Sequence, residues 1–191
     1  MAQIVRLPEL KISPKKMKNN YFKGRPSTNS LSLQILRREL KGKIVLLGVG
    51  NRIRGDDAAG PQLIGILKKR PPDRRKEIFL FDGGELPENY LIPIANVKPN
   101  LVIIVDVVDF GSRPGTIKLF PIQQIPQGNF STHRLSLRFL GSYLEKETQA
   151  KIYLLGIQPK SIKLGEKLSL EVKKTLSDLA DFFQKNAFKN E

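Results

Sequence analysis

Apolar and amphipathic stretches alternate along the chain from about residue 43 onwards. Short apolar runs that are rich in β-branched residues are typical of buried strands, and they predict strands at 44–48, 78–82, 101–106, 116–120 and 151–156. Helical periodicity predicts helices at 58–69, 87–95, 134–146 and 169–185. This alternation predicts an α/β fold, a three-layer α/β/α sandwich with a twisted, mostly parallel five-stranded sheet.

The chain before residue 43 has a different composition. Residues 1–29 are rich in Lys, Pro, Asn and Ser without a sustained period, so we expect a basic, flexible arm there. Residues 30–42 predict a short N-terminal helix, in which Leu33, Leu36 and Leu40 share one face and Gly42 ends the helix. Residues 43–191 then form the main domain, which is long enough to bury a core of its own.

Charge and composition narrow the class of protein. The net charge is +15, but residues 1–43 hold 11 Lys and Arg against 2 acidic residues, so most of the excess lies in the leader. Because no nucleic-acid-binding motif accompanies this charge, we expect no nucleic-acid partner. The chain has no cysteine, which excludes disulfides, thiolate metal sites and a cysteine nucleophile. It also lacks a secretory signal pattern and an apolar run of membrane-spanning length, so we expect a cytoplasmic protein without a membrane partner.

A glycine-rich turn between the first predicted strand and the following helix is the most informative segment. The turn carries two adjacent carboxylates, and this edge of an open α/β sheet is where ligands bind. A dinucleotide fingerprint would need glycine where Ile53 stands, and Asp56 and Asp57 would repel a pyrophosphate at the start of the helix. The turn therefore indicates a cation site more than a phosphate site.

Three predicted strands end at or beside an aspartate. Asp56 and Asp57 follow the first strand, whereas Asp82 ends the second and Asp106 ends the third. Since parallel strands share one C-terminal edge, we expect these carboxylates to be neighbours. Structural alternatives stay open, because Asp56 is expected to cap the next helix and Asp82 could organise the Gly83-Gly84 turn. No helix start follows Asp106 directly, which favours a functional role there.

The chain has a single histidine, His133, just before a predicted helix. This residue can be an ordinary polar side chain or a ligand, and the sequence leaves both interpretations open. Two carboxylate oxygens and one imidazole would suit a borderline divalent ion, with positions left for water or for ligands from another protein.

Five motifs together resemble the hydrogenase maturation endopeptidases, in particular the type that processes the large subunit of nickel–iron hydrogenase 3. Each motif is weak alone, but they occur in the family's order from about residue 43 to the C-terminal helix. The motifs are Gly48-Val49-Gly50-Asn51 with Gly55-Asp56-Asp57-Ala58-Ala59-Gly60-Pro61, Asp82-Gly83-Gly84 with Pro87-Glu88-Asn89, Val105-Asp106 with Asp109-Phe110-Gly111 and Pro114-Gly115, Ser131-Thr132-His133, and Leu155-Gly156-Ile157-Gln158-Pro159.

The resemblance implies a reaction, a partner and a metal site. Such enzymes remove a short C-terminal extension from the hydrogenase large-subunit precursor after nickel insertion, so residues 43–191 are expected to be a peptidase domain. Carried over by motif, the nickel-contacting residues are Asp57, Asp106 and His133. The nickel belongs to the substrate, and the resemblance implies no organic cofactor. We expect the enzyme to be a monomer.

The cutting step stays open between two hypotheses. Nickel could polarise a carbonyl or a water molecule, or it could serve for recognition only while Asp57 or Asp82 positions the attacking water. We favour recognition. Backbone amides in two turns are the expected oxyanion or substrate-positioning groups; these turns contain Gly48, Gly50, Asn51, Gly83 and Gly84. The alternatives are a related peptidase with another precursor, or a non-enzymatic module that binds through the basic arm.

Overall fold

The computed structural model describes residues 28–69, 77–125 and 134–186 of the 191-residue chain. The predicted arm, apart from residues 28 and 29, lies outside the described residues, and so does His133. The elements in chain order are α1 (Thr28–Glu39), β1 (Ile44–Val49), α2 (Ala59–Lys69), β2 (Ile78–Gly84), α3 (Leu91–Val97), β3 (Leu101–Val107), β4 (Ile117–Pro121), α4 (Arg134–Thr148), β5 (Lys151–Ile157) and α5 (Leu170–Asn186).

These strands form one five-stranded sheet in the order β2-β1-β3-β5-β4. Strands β2, β1, β3 and β5 run parallel, and β4, at the edge, is antiparallel to β5. Every residue of β1 and β3 is buried, which explains their nearly continuous apolar runs. The predicted, mostly parallel sheet is confirmed.

Helices cover both faces of the sheet, which confirms the three-layer sandwich. One core joins α1, α2 and α5 to side chains such as Ile103 and Val105, while the other joins α3 and α4 to side chains such as Val102 and Ile104. Side chains alternate between faces along a strand, so Asp106 lies on the same face as α3 and α4. No helix within the described ranges is long and apolar enough to cross a membrane.

Helix α1 is part of this sandwich and also covers the exposed edge of β4. Leu36 is fully buried among residues of α2 and α5. The Asn29 Oδ1 accepts a hydrogen bond from the Ile117 N–H at 2.9 Å, and the Ser32 Oγ accepts one from the Leu119 N–H at 3.3 Å. These bonds satisfy edge N–H groups that would otherwise be open to another strand. The division into an arm, a helix and a domain stays a prediction, but α1 shares the core of the domain.

Two predicted helices begin differently in the structure. The segment predicted as a helix at 87–95 starts as a 3₁₀ turn, Pro87–Tyr90, before α3. The segment predicted at 58–69 is likewise preceded by a 3₁₀ turn, Gly55–Ala58, before α2. Short 3₁₀ turns are frequent at helix N-termini, and hydrophobic periodicity does not distinguish them from an α-helical turn.

Candidate active site

The start of α2 is seated against the C-terminal ends of β1 and β3. A Cβ atom at Gly60 would lie 2.4 Å from the carbonyl oxygens of both Val49 and Val105. A Cβ atom at Gly48 would lie 2.4 Å from the Gly60 carbonyl oxygen. Only residues without a side chain permit this approach, which brings the 3₁₀ turn Gly55–Ala58 to the edge of the sheet, in contact with β3. Close packing of a helix on the sheet therefore explains these glycines.

Two of the predicted nickel-contacting carboxylates are buried at this edge. Asp57, in the 3₁₀ turn, is 1% exposed, and Asp106, in β3, is 0% exposed. The Asp57 Oδ2 accepts a hydrogen bond from the Asn51 N–H at 3.0 Å, and the Asp106 Oδ1 accepts one from the Val107 N–H at 2.8 Å. Burial of a carboxylate is costly unless hydrogen bonds, a cation or a proton compensate for the lost water. The structure thus places Asp57 in the turn that follows β1 and Asp106 near the end of the adjacent strand β3, and both carboxylates are buried.

Asp56 has a role other than the predicted helix cap. Its carboxylate is 1% exposed and lies inside the 3₁₀ turn, whereas the N-cap position belongs to Arg54. The carboxylate accepts four hydrogen bonds from the loop between β5 and α5: from the N–H groups of Lys160 (2.7 Å), Ser161 (3.3 Å) and Ser169 (2.7 Å) and from the Ser169 hydroxyl (2.9 Å). Asp56 therefore fastens that loop to the turn that carries Asp57.

Asp82, the second carboxylate predicted to be catalytic, is bound by a basic side chain. Arg52 Nη2 donates a hydrogen bond to Asp82 Oδ2 within an ion pair, in which the Asp82 side chain remains 32% exposed. Beside it, the Asn51 Nδ2 donates to the Glu85 Oε1 at 2.6 Å. Both contacts join the turn after β1 to the end of β2. The sequence carries no local signal of this pair, because Arg52 and Asp82 lie 30 positions apart.

Two N–H groups that were predicted to hold an oxyanion are already engaged within the protein. The Gly50 N–H donates to the Gly84 carbonyl oxygen at 2.9 Å, and the Asn51 N–H donates to Asp57. An oxyanion hole needs donors that point at the reacting carbonyl of the substrate. These hydrogen bonds argue against Gly50 and Asn51 as its donors, while the roles of Gly48, Gly83 and Gly84 stay a prediction.

The third predicted nickel-contacting residue, His133, lies outside the described residues. Helix α4 begins at Arg134, directly after it in the sequence, and packs on the face of the sheet that bears Asp106. Within 28–69, 77–125 and 134–186, no group of three or more His, Cys, Asp or Glu side chains could hold a metal ion. Asp57 and Asp106 offer oxygen donors that suit a divalent ion, and a complete site needs a further donor from outside these ranges or from a bound protein.

The loop after β3 is held by a side chain that sequence analysis did not identify as functional. Gln158 is 5% exposed, and its Oε1 accepts hydrogen bonds from the N–H groups of Phe110 (2.9 Å) and Ser112 (3.1 Å). Its Nε2 donates to the Asp109 Oδ1 at 3.0 Å. This bond, together with one from the Gly111 N–H, lowers the pKa of the Asp109 carboxyl below its ordinary value. The sequence feature that could have identified Gln158 is its place in the last of the five motifs.

Comparison with known proteins gives the class that this fold and site define. A family model described as HycI, hydrogenase maturation protease, matches residues 61–185, which is more than half of the chain. The chain belongs to the hydrogenase maturation proteases and is a peptidase. The predicted family is therefore confirmed.

Individual relatives agree with this assignment. The hydrogenase 3 maturation protease of Escherichia coli is 37% identical over 116 residues, which cover 60% of this chain and 72% of that protein. The crystal structure of a [NiFe] hydrogenase maturation protease HycI from Thermococcus kodakarensis superposes with a TM-score of 0.74 at 33% identity, covering 81% of this chain and 99% of that one. The hydrogenase maturating endopeptidase HybD from E. coli gives a TM-score of 0.62 at 25% identity, covering 73% and 88%.

Proposed function

We propose that this peptidase removes a short C-terminal extension from the nickel-loaded large-subunit precursor of a nickel–iron hydrogenase and thereby completes its maturation. The main support, besides membership of this protease family, is the position of two carboxylates. Two carboxylates are buried at one edge of the sheet: Asp57 in the 3₁₀ turn that follows β1, and Asp106 near the end of the adjacent parallel strand β3. We assign to both the addition of oxygen ligands to a metal that a substrate presents.

Nickel in this proposal is part of the substrate. The chain has no cysteine, so any thiolate ligands of the nickel come from the precursor. Asp57, Asp106 and His133 add oxygen and nitrogen donors to positions that the precursor leaves open. A precursor without nickel would forgo these contacts, and the enzyme thereby distinguishes a loaded large subunit from an empty one.

The attacking water is assigned to Asp82 in this proposal. Of the two carboxylates considered for this role, Asp82 is 32% exposed at the edge, whereas Asp57 is 1% exposed and is assigned to nickel. Arg52 binds Asp82 Oδ2, and we assign the hydrogen bond from water to Asp82 Oδ1. Nickel then serves for recognition, and the protein positions the water.

Intact-mass spectrometry of a nickel-loaded precursor before and after incubation with this protein tests the function. We expect the loss of one defined C-terminal peptide. An unchanged precursor mass with folded enzyme and confirmed nickel content would contradict the proposal.

A nickel-free precursor whose C-terminus has been made accessible tests the role of the metal. If nickel serves for recognition only, this substrate is cut at high concentration with an increased KM and a similar kcat. Complete resistance to cleavage would instead assign nickel to the chemical step.

A further inference from the structure

We propose that Gln158 is a positioning residue for the Asp106 carboxylate, because it locks the loop that continues from β3. This inference rests on the proposed function, in which Asp106 contacts the nickel of the substrate. Gln158 does not itself contact nickel. It acts through the backbone of residues 108–116, which begin directly after the strand end that carries Asp106.

The two strands place Gln158 beside this loop. Asp106 in β3 is in register with Gly156 in β5, and Gln158 follows two residues later. The Val108 N–H donates to the Ile157 carbonyl oxygen at 3.0 Å, so the pairing of the two chains continues past the end of the sheet. The Gln158 side chain then reaches the next turn of the loop.

The amide of Gln158 matches the hydrogen-bonding groups of that turn. Its oxygen accepts from the N–H groups of Phe110 and Ser112, and its nitrogen donates to the Asp109 carboxylate at 3.0 Å and to the Pro159 carbonyl oxygen at 3.4 Å. One side chain therefore supplies an acceptor to two backbone donors and a donor to a carboxylate. A carboxylate at this position could accept but could not donate, and an apolar residue could do neither.

Gln158 also holds the far end of the loop through its backbone. Its N–H donates to the Thr116 carbonyl oxygen at 2.8 Å, and its carbonyl oxygen accepts from the Gly115 N–H at 2.9 Å. Between these ends the Phe110 ring packs edge-on against Phe120 with centroids 6.0 Å apart. The loop is therefore fixed at its start, its middle and its end.

The hydrogen bonds of Gln158 help to hold the Asp106 carboxylate in position. Metal recognition requires donor atoms to be held within a fraction of an ångström of their productive position, and groups behind the ligands provide that precision. Loss of the Gln158 side-chain contacts would loosen residues 109–112. That segment begins two residues after Val107, whose N–H donates to the Asp106 carboxylate. We therefore expect Gln158 to affect the nickel-dependent part of substrate binding.

The test is a donor–acceptor exchange between Gln158 and Asp109 in the full-length protein. Gln158→Glu places two carboxylates side by side and removes the donated hydrogen bond, while Asp109→Asn in the same chain restores a donor to the pair. Gln34→Glu, which makes the same chemical change on the exposed side of α1, is the matched control. Binding to nickel-loaded and to nickel-free precursor is measured for each variant, together with cleavage rate and Tm.

We expect Gln158→Glu to weaken binding of nickel-loaded precursor about tenfold without weakening that of nickel-free precursor, and the double variant to recover most of the loss. If Gln158→Glu fails to fold, Asp109→Ala, which removes only an exposed acceptor, is expected to show the same selective loss in smaller degree.

Equal weakening for both precursors, or a double variant no better than Gln158→Glu at restored Tm, would overturn the positioning role. A wild-type enzyme that does not cleave the nickel-loaded precursor would instead overturn the proposed function, and this inference would fall with it.

Discussion

Three aspartates of the site have different environments although two of them are adjacent in the sequence. Asp56 accepts four hydrogen bonds from a distant loop, whereas Asp57 faces the turn after β1 and Asp82 pairs with Arg52. The position of Asp57 and Asp106 at one edge could be predicted from sequence, since parallel strands end together. The role of Asp56 could not, because its partners lie 104 to 113 residues further along the chain.

Replacement of either buried carboxylate by its amide tests the metal-binding assignment. Asp57→Asn and Asp106→Asn keep the shape of the side chain but weaken its affinity for a cation, so we expect each to lower precursor cleavage by about 100-fold or more. Asp178→Asn on the exposed side of α5 is the matched control and should cleave normally. Full activity of both site variants, measured by intact mass with circular dichroism to verify folding, would show that the assignment is wrong.

The Asp109 carboxyl provides a local measure of the Gln158 hydrogen bond. Its pKa is lowered in the folded protein, so its contribution to stability is present above the unfolded pKa and is lost as the pH falls through the folded pKa. Gln158→Leu removes the main cause of this shift and should raise the pKa of Asp109 towards its ordinary value. Carboxyl carbon NMR titration of both proteins measures the change. An Asp109 pKa that does not move on this substitution would contradict the assigned cause.

At the level of elements, the loop between β5 and α5 is bound to the turn after β1. Besides the Asp56 bonds, the Gly55 N–H donates to the Glu166 carbonyl oxygen at 3.1 Å, and the Gly165 N–H donates to the Ile53 carbonyl oxygen at 2.8 Å. Hydrophobic periodicity predicted the strands and helices on both sides of this loop. It could not predict the loop itself, because polar bonds between distant turns leave no period in the sequence.

Asp56→Ala is expected to be the most destabilising single change at this junction. It leaves the partly buried hydrogen-bond donors of Lys160 and Ser169 without their acceptor, so the free energy of unfolding should fall by about 3 kcal/mol. Urea denaturation measures this loss, and Asp178→Ala, an exposed aspartate, should stay within about 0.5 kcal/mol of the wild type. A loss below about 1 kcal/mol for Asp56→Ala would show that the loop does not depend on this carboxylate.

At the level of the whole molecule, the α/β/α sandwich places the candidate site residues at the C-terminal edge of the parallel strands. Asp82 lies in β2, Asp106 lies in β3, and Asp57 lies in the turn between β1 and α2. These carboxylates are distant in sequence, so the sheet must form before they reach the same edge. The family and the mostly parallel sheet could be predicted from sequence, because apolar runs and motif order are both written along the chain. The packing of α1 on the β4 edge could not, since Asn29 and Ser32 carry no signal of their partners.

In the proposed function, this peptidase selects a precursor by the nickel that the precursor carries. The most direct test mixes nickel-loaded and nickel-free large-subunit precursors, distinguished by an isotope label, in one reaction and follows both intact masses over time. We predict that the loaded precursor loses its C-terminal peptide while the nickel-free precursor persists, and that the preference disappears in Asp106→Asn. Equal rates of processing for the two precursors by the wild-type enzyme would show that nickel does not determine which precursor is cut.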